Sequence, residues 1–307
     1  MIAVDMSHDV ATGADRGRPH GGYFPRGRSV LRRVHGERAV GLHYGQRGLL
    51  VGAADPLTYT GTMASTSATA SPFTRLARTA KVHETVFFGT REQADRALAM
   101  VHRLHERVRG TLPEPAGRLP AGTPYAATDP PLMLWTLACI ADSGEVLYQS
   151  LVRPLSADER EALWQDYLLF GELIGLPRAE APGTYAEFRS YWRTRMESDD
   201  LHLTDDARLV APQTAFRIPV PHHWWPNMRV SNLILMGSLP ERIRGLYGFE
   251  WGMAQEAAFQ ALAASMRRSR RLVPRPLRRG GNEVVFDTVA RTEARRLAAG
   301  KTTLRRT

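Results

Sequence analysis

His102 and His105 stand three residues apart in REQADRALAMVHRLHERVRG, a run that reads as one amphipathic helix stopped by Gly110. Ala94, Ala97, Val101, Leu104, His105 and Val108 recur at helical spacing, which places His105 within the apolar stripe. An imidazole pressed into an apolar face needs a hydrogen-bond partner or something to ligate. One neutral imidazole, delivered by a helix into a mostly apolar pocket, is how many proteins hold haem iron. A satisfied core histidine is the alternative. A metal shared by His102 and His105 is a third reading, but no further ligand stands at a diagnostic spacing.

The preceding run, RLARTAKVHETVFFG, presents Arg75, Arg78, Thr79 and His83. Arg75 and Thr79 are four apart and share a face, and Arg78 neighbours Arg75. A guanidinium and a hydroxyl on one face can bind a haem propionate or a polar group beside iron-bound oxygen. Against this stands a solvated face on which Thr79 bonds its own helix backbone. His83 reads as solvent-facing, with a second axial ligand as its alternative. His222, His223, Trp224 and Trp225 form a proline-bounded aromatic loop that reads as packing or a lid, and Tyr125 and Trp135 as core or pocket wall.

Other chemistries lack their residues. The chain has no Glu-x-x-His pair, no His-Glu-x-x-His, no Gly-x-Ser-x-Gly elbow, no P-loop and no dinucleotide-binding fingerprint after a strand. Cys139 is the single cysteine, so an intrachain disulfide and cysteine-rich zinc sites are excluded. That agrees with a reducing, cytoplasmic compartment. The formal charge of +10 permits contact with anionic partners, but no nucleic-acid-binding signature accompanies the arginine clusters near 267–279, and specific nucleic-acid binding is not expected.

The elements that must position these residues are helices. Residues 1–28 lack periodicity and a signal-like apolar region, and read as a disordered tail. Val30 to about Ala54 favours helix, interrupted by Gly36, Gly41, Gly45 and Gly48, which could let helices or a flat ligand approach closely. Ser71-Pro72 opens a helix that Gly89 ends, and Thr90 caps the next. A long Pro- and Gly-rich connection leads to Asp129-Pro130, the start of an apolar helix. Ser156 and Glu159 make a capping box for another, and further helical runs follow. No stretch of about 18 apolar residues suggests a spanning helix. The expectation is an all-α fold in one multi-helix domain over residues 29–273, with a basic extension over 274–307.

Taken in order, GLLVGAADPLTYTG, RLARTAKVHETVFFGT, MVHRLHERVRG, PYAATDPPLMLWTLACIADS and PLSADEREALWQDYLLFGELIGLP, with a weaker LPERIRGLYGFEW, resemble the MpaB/rubber oxygenase family, which includes the latex-clearing proteins. The resemblance spans roughly residues 35–255. It implies an all-helical, globin-like core around haem b, and an oxygenase that applies dioxygen to an apolar, unsaturated organic substrate. It further implies His105 as proximal iron ligand, His102 as its companion in cofactor binding, and Arg75 and Thr79 beside the haem. Arg78 stands where the rubber cleavers carry lysine. Leu137 and Asp55 replace histidines that many members carry, and no residue could be matched to the acid that the rubber cleavers use near oxygen. A non-catalytic helical protein that binds haem or a hydrophobic metabolite is the alternative function.

Overall fold

The computed structural model describes residues 21–64, 71–301 and 304. The expected tail therefore lies mostly outside the described residues, although within 21–28 Phe24 is fully buried. The structure is all-α: among the described residues, the strands form one two-stranded antiparallel hairpin, β1 (Arg109–Thr111) and β2 (Pro124–Ala126).

The first glycine-interrupted stretch breaks into α1 (Val30–His35), α2 (Arg38–Gly41) and α3 (Tyr44–Gly52), and α4 (Pro56–Ala64) follows. Helices α5 (Pro72–Phe88) and α6 (Arg91–His105) pack side by side. Ser71 caps α5 by accepting from the Phe73 amide, and Thr90 with Gln93 completes a capping box on α6. Behind the hairpin come α7 (Pro130–Leu151), α8 (Ala157–Leu173), α9 (Tyr185–Glu197) and α10 (Asp205–Phe216). The chain closes with α11 (Trp225–Ser238), α12 (Glu241–Tyr247), α13 (Met253–Ser269), α14 (Arg275–Arg278) and α15 (Glu283–Ala298).

Helix α7 is the central post. Its apolar residues are not confined to one stripe, and α2, α3, α4, α8, α11 and α13 all pack against it. The most extensive pairing is with α3, where Gly48 and Gly52 face Cys139. One buried charge cluster locks this pairing. Arg47 of α3 pairs with Asp142 of α7 at 2.8 Å, each side chain only 2% exposed, and Arg189 of α9 meets the same carboxylate at 2.7 Å. Arg47 also donates to the Ser143 hydroxyl and the Ser238 carbonyl, so its buried guanidinium is well satisfied.

One expectation changes. Helix α6 ends at His105 rather than running to Gly110, because the chain turns there into the hairpin and Gly110 pairs with Tyr125 inside it. A Cβ at Gly110 would stand 2.8 Å from the Tyr125 hydroxyl, so this glycine serves strand packing and not a helix stop. The long Pro- and Gly-rich connection is thus the hairpin and its loop. The basic stretch beyond residue 274 contains α15, which packs along α5.

Candidate functional site

A cavity of about 760 Å³ opens among α3, α4, α5, α7, α10, α11 and α15. Such a volume lies within the roughly 300–1,000 Å³ of sites that enclose small molecules. Its lining is mostly apolar: Leu49 and the α3 glycines on one side, Leu76 and Ala80 on another, Val285 and Phe286 from α15. Among the described residues lining it there is no Asp, Glu or Lys, and Arg75 is the one arginine.

Helix α5 forms the polar wall. Arg75, Thr79 and His83 all line the cavity, and their spacing of four residues keeps them on one face. Arg75 also donates to the Thr62 carbonyl. Burial lowers its pKa to about 10, with the Tyr59 hydroxyl acting in the opposite direction, so it stays charged at neutral pH. Tyr59 is itself fixed by donating to Asp206 at 2.7 Å.

Two histidines line this space. His43 is engaged at both nitrogens: Nδ1 bonds the Ala39 carbonyl at 2.6 Å and Nε2 the Ser231 hydroxyl at 2.9 Å. His83 is engaged at Nδ1 alone, 2.9 Å from the Tyr44 hydroxyl. Its Nε2 is neither hydrogen-bonded nor among the sealed, partnerless nitrogens. Burial pulls the His83 pKa down to about 4, so the ring is neutral at physiological pH.

Of the residues expected from sequence, the structure brings Arg75 and Thr79 together at the cavity and leaves Arg78, His102 and His105 off its wall. Arg78 is exposed. His102 is exposed and bonds the Leu173 carbonyl at 2.9 Å, tying α6 to the end of α8. His105 is half-buried with a sealed Nδ1 that has no partner, and burial followed by the neighbouring His102 lowers its pKa. The buried stripe of α6 is Ala94 and Leu98, flanked by the half-buried Ala97, Val101 and His105, while Leu104 is exposed. His83, read from sequence as solvent-facing, is a cavity residue. Its distance of eight from Arg75 was the available signal, but only the tertiary packing of α5 against α3 and α15 shows which face is enclosed.

The remaining candidates find structural partners. Asp55 caps α4 by accepting from the Thr58 amide at 2.8 Å and pairs with Arg195 at 2.8 Å. Leu137 is buried against Gly171. Trp135 stacks on Trp192 with ring centres 5.7 Å apart, and Tyr125 packs over Gly61; neither lines the cavity. From the aromatic loop Trp224 lines the cavity, whereas Trp225, His222 and His223 do not. Cys139 lines it too, its thiol pKa raised by burial and by nearby Asp142.

Among the described residues no three His, Cys, Asp or Glu side chains gather as a metal-holding group. Haem asks less of a protein, since the porphyrin supplies four nitrogens and a single imidazole suffices. An apolar cavity of this size, one neutral imidazole with an unengaged nitrogen and one wall arginine fit that group. No helix among the described residues is long and apolar enough to cross a membrane.

The chain is similar to known proteins over most of its length. Residues 32–268 match the family described as "ER-bound oxygenase mpaB/B'/Rubber oxygenase, catalytic domain". Similar proteins include the uncharacterized protein Rv2237 of Mycobacterium tuberculosis and the uncharacterized protein Mb2261 of Mycobacterium bovis. Each is 28% identical over 213 residues, covering 66% of this chain and 76% of the relative. No solved structure matches the chain significantly.

Proposed function

The chain belongs to the mpaB/rubber oxygenase catalytic-domain family, and from that premise we propose that it is a haem b-dependent oxygenase acting with dioxygen on an apolar, unsaturated organic substrate. The observation that carries this reading is the largely apolar cavity of about 760 Å³, whose polar groups include Arg75, Thr79 and His83 in a line on α5. Haem, when bound, supplies dioxygen binding and the redox chemistry.

The chain's own residues do the rest. Leu49, Leu76, Phe286 and their neighbours hold an apolar substrate and exclude water. Arg75, cationic at neutral pH, orients a cofactor carboxylate, and the Thr79 hydroxyl offers a hydrogen bond one turn away. Arg78, placed by the resemblance beside the chemistry, is exposed on α5 and acts at most as a distant charge.

A second reading, a non-catalytic protein that binds haem or a hydrophobic metabolite, draws on the absence of any carboxylate among the described lining residues. Haemin titration of the purified protein followed by oxygen-uptake assays on unsaturated terpenoid and polyisoprenoid substrates separates the two. The oxygenase reading expects a saturable Soret band and substrate-dependent oxygen consumption. Haem binding without oxygen consumption on any substrate would favour the binding protein.

A further inference from the structure

We propose that residues 271–278 form a loop that docks this protein peripherally on an anionic lipid bilayer, its exposed leucines entering the interface and its arginines meeting the headgroups. The loop needs no cofactor for this, and it lies beyond the family-matched residues 32–268.

Charge makes the first case. Between Glu256 and Glu283 the chain carries seven arginines and no acidic residue or lysine, so this segment holds most of the net charge of +10. Three of the seven are occupied within the fold. Arg270 and Arg279 both pair with the buried Glu37, at 2.6 and 2.5 Å, and Arg267 donates to the Ser150 carbonyl. Arg268, Arg271 and Arg275 are exposed, and among the described residues no carboxylate pairs with them. Exposed arginines near a bilayer are drawn to anionic headgroups.

Apolar exposure makes the second. Every residue from 271 to 277 is exposed, with Leu272 at 84% and Leu277 at 68%, and Val284 at the start of α15 reaches 75%. Single exposed leucines are ordinary on a surface, but these stand among the free arginines in one short stretch. Because Arg270 and Arg279 meet on one carboxylate, and the Gly280 amide donates to the Gly36 carbonyl, the residues between them form a single projection. Arg38 steadies it by donating to the Pro276 and Gly281 carbonyls. A projection held at both ends reaches the interface without unfolding anything behind it.

The same composition disfavours other occupants. A nucleic acid gives Leu272 and Leu277 nothing to bury against, and residues 271–278 contain no aromatic ring on which a base could stack. A second copy would set like charges against each other. A bilayer meets both needs, and it would lie beside the cavity, since Val285 and Phe286 next to the exposed Val284 line its wall.

The test is vesicle flotation of the full chain with phosphatidylcholine alone and with an equal mixture of phosphatidylcholine and phosphatidylglycerol, with circular dichroism to confirm folding. The expected result is partition onto the anionic vesicles that weakens as salt rises. Leu272→Ser with Leu277→Ser, which leaves the charge unchanged, and Arg271→Gln with Arg275→Gln should each weaken it at least roughly tenfold. Arg295→Gln with Arg296→Gln removes the same charge from exposed positions of α15 and should weaken it far less. Folded wild type that ignores anionic vesicles would overturn the proposal, as would leucine variants that bind like the wild type or equal losses for the two arginine pairs. Retention of transfer RNA without vesicle binding, or a dimer that the leucine variants dissociate, would assign the loop to another partner and overturn it too.

Discussion

Two neighbouring helices carry histidines at helical spacing, and the fold treats them differently. On α5, Arg75, Thr79 and His83 line the largely apolar cavity, and His83 packs among aromatic rings. On α6, His102 and His105 occupy the final turn, where the chain leaves the helix for the hairpin, and His102 tethers α6 to Leu173. Spacing within a helix establishes which residues share a face. Which face becomes a site is decided by the helices that close over it, here α3, α11 and α15.

The largest contrast expected between the two regions is in stability. The cavity side is backed by the Arg47–Asp142–Arg189 cluster, where removal of one partner strands a buried charge. Arg47→Ala should therefore cost about 3–5 kcal/mol in chemical denaturation. The corresponding ion pair on the hairpin side, Arg118 with Asp199, has both side chains 67% exposed, and Arg118→Ala should cost under about 1 kcal/mol. Equal losses for the two variants would dissolve the distinction.

Acid should act next, and through the cavity side. Burial lowers the pKa of His35 to about 3 and that of His83 to about 4, both below the ordinary value of 6.5. As pH falls from 6.5 toward 4 the unfolded chain takes up protons that the folded chain refuses, so stability falls with pH through that window. A tenfold difference in proton affinity between the folded and unfolded chain is worth about 1.4 kcal/mol, which makes the loss through His35 on the order of a few kcal/mol. Thermal melts across pH 4–7 should show His35→Gln with a flatter profile than the wild type. An unchanged slope would mean that these rings are not buried as neutral groups.

The smallest effect sharpens the comparison at a single hydroxyl. Tyr44→Phe removes the hydroxyl bonded to His83 Nδ1 and keeps the ring stacking, so denaturation should show a loss of about 1 kcal/mol. A haemin titration of His102→Gln, which loses a tether between helices, should leave haemin affinity unchanged.

The helical architecture was legible wherever local chemistry marks an end. Ser71-Pro72, Thr90, Asp129-Pro130 and the Ser156–Glu159 box each begin a helix where their capping chemistry places them. The end of α6 was not legible, because Gly110 has the type of a helix stop while its actual partner, Tyr125, lies fifteen residues on in a hairpin. Spacing placed Arg75 and Thr79 on one helix face, equally compatible with a solvated surface, and the family resemblance was what pointed to them as site residues. His83 could not be distinguished from a solvated side chain, since Val285 and Phe286, which help enclose the same cavity, come from a helix some 200 residues later. Asp55 and Leu137 show the converse: their positions suggested altered chemistry, and the structure gives one a helix cap and ion pair and the other a place in the core.

The most direct measurement of the central claim is a crystal structure of the haem-loaded protein. The account predicts porphyrin within the α5 cavity, with Arg75 beside a propionate. Haem seated outside this cavity would contradict it.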